Sequence, residues 1–282
     1  MQSLADNSMN KWYTFEEILK QQGRAAVAFS GGVDSALLIK LCVDILGAEN
    51  TLALTAVSQL QAGRELGEAR RIAELAGARL IEVPIDALAV AEVVANPPDR
   101  CYYCKKAIFS TLMQRAREEG FDKLMDGSNA SDRGDWRPGK KAATELGAVS
   151  PFDMAGITKA EIRAKSMSLK LPNWNAPAAA CLASRIPYGT ALDADVLRRV
   201  EVAEDALIEL GFVGCRVRVH GDVARIEAGE EDTARLLYAK LRGEVTERIK
   251  ALGFGYVALD LEGYRMGSLN SAIGKQGANG SR

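Results

Sequence analysis

Three cysteines are the residues of this sequence whose chemistry and spacing stand out. Cys101 and Cys104 lie three positions apart in "RCYYCKK", and Cys181 follows far along the chain. Residues at i and i+3 share one face of a helix, so the pair can act together. Prolines and Asp99 precede the pair, which is typical of a helix start. The positive end of that helix, with the neighbouring basic residues, favours the thiolate that metal or sulfur chemistry requires.

The number of available ligands separates the metal sites that these thiols could build. Two thiolates make half of a structural zinc site, but the sequence has no second CxxC, and we interpret its one histidine, His220, as a turn residue. Three thiolates can bind three irons of a 4Fe–4S cluster and leave the fourth iron open to hold and release an extra sulfide. The remaining cysteines, Cys42 and Cys215, recur with apolar residues at helix and strand spacing, so we expect them in the core.

The stretch "SGGVDS" (residues 30–35) follows a short apolar run and opens a helical pattern. Its glycines allow a sharp turn and leave backbone N–H groups open to a ligand. Those donors, the serine hydroxyls and the positive end of the helix form a cradle for an anion. No Gly-Lys-Ser/Thr sequence closes the loop, so it departs from the Walker pattern. We therefore expect a phosphate site at Ser30, Gly31, Gly32 and Ser35.

This hexapeptide resembles the SGGxDS loop of the PP-loop ATP pyrophosphatases. The resemblance implies a loop that grips the β- and γ-phosphates of ATP, releases pyrophosphate, and uses Asp34 to help place Mg²⁺. Enzymes of that superfamily adenylate a carboxylate or a carbonyl oxygen, which creates a leaving group that a nitrogen or sulfur nucleophile displaces. The stretch "DGSNASD" is similar to a second nucleotide-site segment, with Asp132 a candidate metal or phosphate-side ligand. Ser58 in "AVS" falls where such enzymes line the adenine pocket.

The order of apolar runs and helical patterns predicts the fold class. Short apolar runs between Gly23 and Ser128 alternate with segments of helical spacing, which predicts an α/β domain with a mainly parallel, Rossmann-like sheet of the PP-loop type. From about Pro187 the pattern changes to a smaller α+β domain, with a hairpin at "HGD" and one long helix over 231–251. The Gly-rich end predicts disorder. We place the domains at 1–183 and 184–270 and the disordered tail at 271–282.

The composition argues against several classes of partner. The 282 residues include 36 Lys and Arg against 37 Asp and Glu, a net charge of −1, whereas nucleic-acid-binding proteins usually show a basic excess. No apolar run reaches the roughly 18–20 residues of a membrane span, and the amino-terminal residues lack the apolar core of a signal peptide. We therefore expect a cytoplasmic protein with reduced thiols and a small-molecule substrate, and neither nucleic acid nor membrane as a partner.

The chain carries, in order, "SGGVDS", "RCYYCKK", "RPG", "CLASRIPYG" and "RVRVHGDVARIE", and it closely resembles the LarE sulfur transferases from about residue 12 to residue 270. The resemblance implies an enzyme that uses ATP to adenylate the pyridine carboxylates of a nicotinate-derived mononucleotide. Sulfur is then installed as thiocarboxylate, twice, towards the nickel-pincer cofactor of lactate racemase. LarE relatives form hexamers built from trimers, so the resemblance also implies a homo-oligomer.

LarE proteins are of two types, which differ in the origin of the sulfur. In one type a single cysteine at the position of Cys181 donates its own sulfur and becomes dehydroalanine. In the other type a CxxC joins that cysteine, and the three bind a 4Fe–4S cluster that passes on a non-core sulfide. The presence of Cys101 and Cys104 therefore indicates the cluster type.

The hairpin of the second domain carries the candidate substrate-binding residues. Strand alternation places Arg216 and Arg218 on one face, opposite the apolar residues of that strand. Two guanidiniums on a common face suit a substrate phosphate, which they can bind in forked geometry. The LarE resemblance implies that these arginines, with Arg185, hold the substrate's phosphate or carboxylates. It also implies ligands for a divalent metal at Glu204 and Glu227.

Two other interpretations fit the same motifs. A tRNA-thiolating enzyme can also combine this phosphate loop with a three-cysteine cluster, but it needs a basic surface to neutralise several phosphates. An amide-forming PP-loop synthetase would use the CxxC as a zinc site. Tight, salt-sensitive tRNA binding would favour the first alternative, and colourless, zinc-loaded protein after anaerobic purification would favour the second. Brown protein would indicate the cluster.

Overall fold

The computed structural model describes most of the chain, in three stretches: residues 2–133, 138–177 and 180–265. The chain divides into two compact units. The first unit runs to Val90 and resumes at Asp99, and the second unit takes Ala91–Pro98 together with the chain from Ala180. The sequence pattern gave no signal that the short segment Ala91–Pro98 groups with the second unit.

A four-stranded parallel sheet lies at the centre of the first unit, in the order β3-β2-β1-β4. The strands are β1 (Ala25–Ala28), β2 (Thr51–Val57), β3 (Arg79–Pro84) and β4 (Leu124–Met125). Successive residues of β1 face two different hydrophobic clusters, since Val27 belongs to one and Ala26 to the other. Both faces of the sheet are therefore covered, which explains why β1 is apolar throughout and β2 is apolar except for two threonines, and it confirms the predicted parallel α/β fold.

Helices supply the other side of each cluster. They are α1 (Gln2–Gln22), α2 (Val33–Leu46), α3 (Gly63–Ala76), α4 (Ala91–Val94), α5 (Arg100–Glu118), α6 (Pro138–Glu145), α7 (Pro151–Met154) and α8 (Lys159–Ser168), of which α4 belongs to the second unit. The cluster that contains Val27 also takes Phe15 from α1 and Phe152 from α7. The opposite cluster takes Phe109 and Leu112 from α5. Helix α5, which carries the paired cysteines, is thus fixed to the sheet by its own apolar face.

The strand order changes direction beside β1, and this change locates the ligand edge of the sheet. The chain moves outward from β1 through β2 to β3, and then returns to add β4 on the other side of β1. Ligands of such sheets bind outside the carboxyl ends of the strands, at the point where the order reverses. The segments that follow β1 and β4 therefore begin next to each other at that edge of the sheet.

The second unit is a small α+β structure. Its elements besides α4 are α9 (Ala194–Glu209), β5 (Arg216–His220), β6 (Val223–Glu227), α10 (Glu230–Leu236), α11 (Ala239–Ala251) and β7 (Tyr256–Leu259). Strands β5 and β6 form the predicted antiparallel hairpin, and β7 pairs in parallel with β6. The prediction of one helix over 231–251 was wrong, because the backbone of Tyr238 is extended with ψ of 127°. Leu237 and Tyr238, which continue the helical pattern there, are exposed.

Some sequence features fall outside the described stretches. They are Arg137 of the "RPG" motif and the predicted disordered tail at 271–282. In the part of the chain that is described, no helix combines the length and the apolar character needed to cross a bilayer.

Replacing Phe152 with alanine should lower the free energy of unfolding by about 3–5 kcal/mol, because the change leaves a cavity in a closed core. The ring of Phe152 stacks on Phe15 with centroids 4.9 Å apart, and neither side chain has exposed surface. Urea denaturation followed by circular dichroism measures the change. Met154 lies in the same helix and is 61% exposed, so Met154→Ala is the matched control. Equal losses in the two variants would contradict the core assignment of Phe152.

Candidate active site

The loop at residues 30–35 connects β1 to α2, and its two glycines have different roles. Gly31 has φ of +75°, and a Cβ there would lie 2.9 Å from the Cα of Ala69. The fold itself therefore requires glycine at position 31. Gly32 has φ of −72°, and the nearest atom to a Cβ there would be Ser30 Oγ at 3.5 Å. The protein alone tolerates a side chain at position 32, so a requirement for glycine there must come from a ligand.

The serines of this loop close it into a preformed turn. Ser35 Oγ donates to the carbonyl of Gly32 at 3.1 Å and accepts from the N–H of Ser30 at 3.3 Å. The two hydroxyl oxygens lie 3.2 Å apart. The residue that caps α2 is Gly32, which has no side chain to accept from the first N–H groups of the helix. Those N–H groups are therefore directed at the space where an anion would bind.

Two other segments converge on Asp34 in the first turn of α2. Its Oδ2 lies 2.6 Å from Nζ of Lys159, the first residue of α8. Asn129, in the segment after β4, donates from Nδ2 to Oδ1 of Asp34 at 3.3 Å. A Cβ at Gly127 would lie 2.9 Å from Cβ of Asp34, so this segment requires glycine to approach the phosphate loop. An ammonium and an amide thus hold the Asp34 carboxylate beside the anion cradle.

The other predicted nucleotide-site residues in this unit, Asp132 and Ser58, also follow strands of the sheet. Asp132 is buried, and its Oδ2 accepts from the N–H of Asn129 at 3.0 Å. Asn129 Oδ1 in turn accepts from the N–H of Ser131 at 3.0 Å, which makes a reciprocal capping box. Asp132 therefore orients the amide that holds Asp34. Ser58 is half-buried and comes directly after β2.

The paired cysteines lie in the first turn of α5, as the sequence predicts. The helix begins at Arg100, so Cys101 and Cys104 face outward from its amino-terminal end, the first exposed and the second half-buried. Asp99 precedes the helix but makes no side-chain cap hydrogen bond. The positive end of α5 is therefore not neutralised by the side chain of Asp99, which favours negative charge at the thiols.

Lys105 links the pair electrostatically to the ligand edge of the sheet. Its ammonium lies 4.1 Å from the ring centroid of Phe109. Burial lowers the pKa of Lys105, while the charges of Asp126, Cys104 and Cys101 act in the opposite direction. Asp126 is the first residue after β4, so one lysine is within electrostatic reach of both the thiols and the segment that approaches the phosphate loop.

Cys181 belongs to the second unit, where it precedes the 3₁₀ turn Leu182–Arg185 and is half-buried. Arg185, only 2% exposed, donates to the carbonyls of Ala180 at 2.6 Å and of Cys181 at 3.1 Å. The same guanidinium forms a forked ion pair with the two carboxylate oxygens of Glu204, at 2.8 and 2.9 Å. Arg185 thus fixes the backbone that carries Cys181.

The predicted metal ligands Glu204 and Glu227 are both buried and both pair with arginines. Burial by itself would raise the pKa of Glu204, but the hydrogen bonds and the charge of Arg185 hold it below its usual value. Glu227 accepts from Arg218 at 2.9 Å and from Arg225 at 3.2 Å. Within the described stretches, no three His, Cys, Asp or Glu side chains are grouped to hold a metal ion. A divalent cation at either glutamate would have to take the place of an arginine.

The two predicted phosphate ligands on β5 differ in their surroundings. Arg216 and Arg218 alternate with buried Val217, so they share one side of the strand. Arg218 is buried and donates to the carbonyl of Ser184, next to Arg185. Arg216 is half-buried, and its Nε has no hydrogen-bond partner among the described residues. The Nε atom is buried, whereas Nη1 donates to the carbonyl of Cys215 at 2.9 Å, so one donor of this guanidinium is unsatisfied within the described residues.

The remaining cysteines are core residues, as predicted. Cys42 has no exposed surface, and Cys215 is nearly as buried. Burial raises the pKa of Cys42, and it raises that of Cys215 to about 11, so neither thiol ionises readily. His220 is the last residue of β5, directly before the hairpin turn, and burial followed by the charge of Arg225 lowers its pKa.

The sequence did not single out Lys159 or Asn129. One signal was present for Lys159, because Thr158 and Glu161 form a capping box that marks the start of α8. That pattern locates a helix end but does not show what the first helical residue contacts. The pairing with Asp34 joins residues far apart in the sequence and becomes visible only when the sheet order is known.

Comparisons with known proteins agree with this geometry. The family model described as NAD synthase matches residues 13–100, the part that contains the phosphate loop. A pyridinium-3,5-bisthiocarboxylic acid mononucleotide synthase of Lactiplantibacillus plantarum is 40% identical over 262 residues, which cover 93% of this chain and 94% of the relative. An uncharacterized protein of Synechocystis sp. is 39% identical over 94% of this chain and 99% of that relative. One of Methanocaldococcus jannaschii is 29% identical over 85% of this chain and 90% of that relative.

Identity at this level along nearly the whole length confirms the predicted family resemblance. The chain belongs to the LarE family of enzymes, the family of the pyridinium-3,5-bisthiocarboxylic acid mononucleotide synthases.

Proposed function

We propose that this enzyme is an ATP-dependent sulfur transferase that converts the carboxylates of pyridinium-3,5-biscarboxylic acid mononucleotide to thiocarboxylates in nickel-pincer cofactor biosynthesis. The observation that carries the proposal lies within the first unit. There, the uncapped N–H groups at the start of α2 lie beside Asp34, which Lys159 and the segment after β4 both contact, and this arrangement suits the phosphates of ATP. The 40% identical relative is a pyridinium-3,5-bisthiocarboxylic acid mononucleotide synthase, which indicates the substrate class.

The first half-reaction is adenylation. A carboxylate oxygen of the substrate attacks the α-phosphorus of ATP, the bond to the β-phosphate oxygen breaks, and pyrophosphate leaves with the electron pair. The uncapped N–H groups at the start of α2 suit the departing phosphates, and Lys159 adds positive charge at the same edge. Asp34 and Asp132 supply the carboxylate oxygens that Mg²⁺ prefers, and Ser58 is proposed for the adenine side.

The second half-reaction replaces AMP with sulfur. A sulfur nucleophile adds to the activated carbonyl carbon, and AMP leaves with the electron pair of the carbon–oxygen bond. We assign Cys101, Cys104 and Cys181 as ligands of a 4Fe–4S cluster that, when bound, supplies a sulfide from its remaining iron. Cys101 and Cys104 lie near each other at the start of α5, which suits two of these three positions.

We propose that the phosphate of the mononucleotide binds Arg216 and the neighbouring Arg218. Arg185 and Glu204 support the same site in this proposal through the backbone of Cys181, because their ion pair is buried and forked. In this proposal a divalent metal binds Glu204 or Glu227 only if it displaces the arginines that pair with these glutamates. By family resemblance we also infer a homo-oligomer that acts in the cytoplasm.

Gly32→Ala should abolish pyrophosphate release without destabilising the protein. The added Cβ meets no atom closer than 3.5 Å in the protein, so the loss would come from blocked approach of the ATP phosphates. Release is measured with a coupled pyrophosphate assay, and the free energy of unfolding is measured in parallel. Gly67→Ala is the control, because Gly67 lies on α3 and a Cβ at that position would have no other atom within 4 Å. Normal release by Gly32→Ala would remove this loop from the ATP site.

Each single replacement of Cys101, Cys104 or Cys181 with serine should abolish cluster assembly, because a 4Fe–4S cube with one free iron needs all three thiolates. The measurement is iron and acid-labile sulfide content after anaerobic reconstitution. Cys42→Ala serves as the control, because this fully buried thiol should leave the iron content unchanged. Full iron retention by two of the three serine variants would exclude this ligand set.

Arg216→Ala should raise the Michaelis constant of the mononucleotide substrate much more than that of ATP. Loss of a charge-assisted phosphate contact corresponds to about 1.5–3 kcal/mol, or roughly 10- to 100-fold. Steady-state kinetics with each substrate varied in turn provides the test. Arg248→Ala is the control, since Arg248 pairs with exposed Glu209 away from β5. An unchanged substrate constant in Arg216→Ala would exclude Arg216 from the site.

A further inference from the structure

Asn173 is a buried polar residue that the reaction scheme above does not use. It lies in the stretch that follows α8, within the first unit, and is 6% exposed. Its Nδ2 donates to the carbonyl of Gly31 at 2.8 Å, although the two residues are 142 positions apart in the sequence. Its Oδ1 is buried and has no hydrogen-bond partner among the described residues. A buried oxygen without a partner costs free energy, so the contribution of this amide is its donation to the phosphate loop.

The neighbouring chain fixes the place of Asn173. After α8 the backbone of Lys170 has φ of +57°, and the N–H of Leu171 donates to the carbonyl of Ser166 at 3.0 Å, a bond typical of a helix end. Leu171 then enters the hydrophobic cluster of the sheet and is 4% exposed. The carbonyl of Asn173 accepts from the N–H of Ala176 at 2.9 Å, which closes a turn. A core residue before Asn173 and a turn after it restrict the positions that its amide can take.

The carbonyl that Asn173 bonds belongs to a residue of the phosphate loop that is tightly enclosed. Gly31 is buried and has φ of +75°. Helix α3 packs against it so closely that a Cβ at Gly31 would lie 2.9 Å from the Cα of Ala69. The peptide group between Gly31 and Gly32 is therefore fixed both by packing against α3 and by the hydrogen bond from Asn173.

This peptide group connects the bond from Asn173 to the side of the loop that faces a ligand. The peptide is trans, and the C=O and N–H of a planar trans peptide point in opposite directions. A donor that holds the Gly31 carbonyl thus sets the direction of the Gly32 N–H. In the protein alone that N–H donates to Oγ of Ser30 over 3.4 Å, near the limit for a hydrogen bond. A phosphate oxygen can replace such a distant acceptor.

We infer that Asn173 is a positioning residue for the phosphates of ATP, because it holds the Gly31 carbonyl so that the N–H of Gly32 points towards the β- and γ-phosphates. The inference rests on the proposed function for the identity of the anion. It separates two parts of the nucleotide, since AMP lacks the phosphates that this N–H would contact. Loss of the Asn173 amide should therefore weaken the binding of a triphosphate and leave the binding of AMP unchanged.

Two variants remove the donor with different side effects. Asn173→Asp keeps the shape of the side chain and adds a negative charge, whereas Asn173→Ala shortens the side chain and adds no charge. An effect that both variants share therefore reports the lost donor. The matched controls are Asn175→Asp and Asn175→Ala, because Asn175 lies in the same turn, is exposed, and accepts from Nη1 of Arg163 at 3.4 Å.

The measurement is isothermal titration calorimetry of the full chain with Mg²⁺ and either AMP or α,β-methylene-ATP, whose phosphorus–carbon bridge prevents pyrophosphate release. Both Asn173 variants should bind the triphosphate about 10- to 100-fold more weakly than the parent, the range for one hydrogen bond to a charged group, and AMP within about twofold of the parent. The Asn175 variants should bind both ligands as the parent does.

Each other outcome has a definite meaning. Triphosphate binding at the parent affinity in either Asn173 variant would overturn the inference, because added charge or lost volume would then explain any loss in the other. Equal losses for the triphosphate and for AMP would also overturn it, since Asn173 would then maintain the nucleotide site as a whole. A parent protein that binds no triphosphate would overturn both the inference and the proposed function. A parent that binds the triphosphate but forms no thiocarboxylate from the proposed substrate would refute the proposed function alone, and weaker triphosphate binding by both variants would still support the role of Asn173.

Discussion

The Asp34 carboxylate is the point on which the first unit's site depends. It lies in the first turn of α2, where a negative charge is favoured by the helix dipole, and it is fixed by an ammonium and an amide from two other segments. Because Lys159 and Asn129 belong to two separate segments of the unit, a shift of the phosphate loop would break contacts with both segments. Gly127 permits this convergence, since any larger residue would meet the Asp34 backbone.

Much of the fold follows from the sequence, and the reason is visible in the strands. The runs that form β1 and β2 are apolar on both sides, so a doubly covered parallel sheet is the arrangement that buries them. The break at Tyr238 did not follow, because the apolar spacing continues through residues that turn out to be exposed. The spacing of apolar residues along the sequence predicts a helix, but it does not show whether the backbone breaks so that some of these residues stay exposed.

The candidate site was predictable only in part. The residues of the phosphate loop and the paired thiols are recognisable from their types and spacing, because their chemistry depends on neighbours in the sequence. The long-range partners are not, since Lys159 looks like an ordinary surface lysine until the sheet order places Asp34 beside it.

The second unit contains buried arginine–glutamate ion pairs, and one of them fixes the backbone at Cys181. Burying two charges costs more than the pair itself usually returns, so such pairs are poor contributors to stability and persist where geometry matters. Arg185 and Glu204 satisfy each other in forked geometry while the same guanidinium also bonds the backbone at Cys181. A substrate or cation that competed for either member would therefore loosen the Cys181 turn. The pair therefore holds the backbone that carries Cys181, and its charges are already satisfied within the protein.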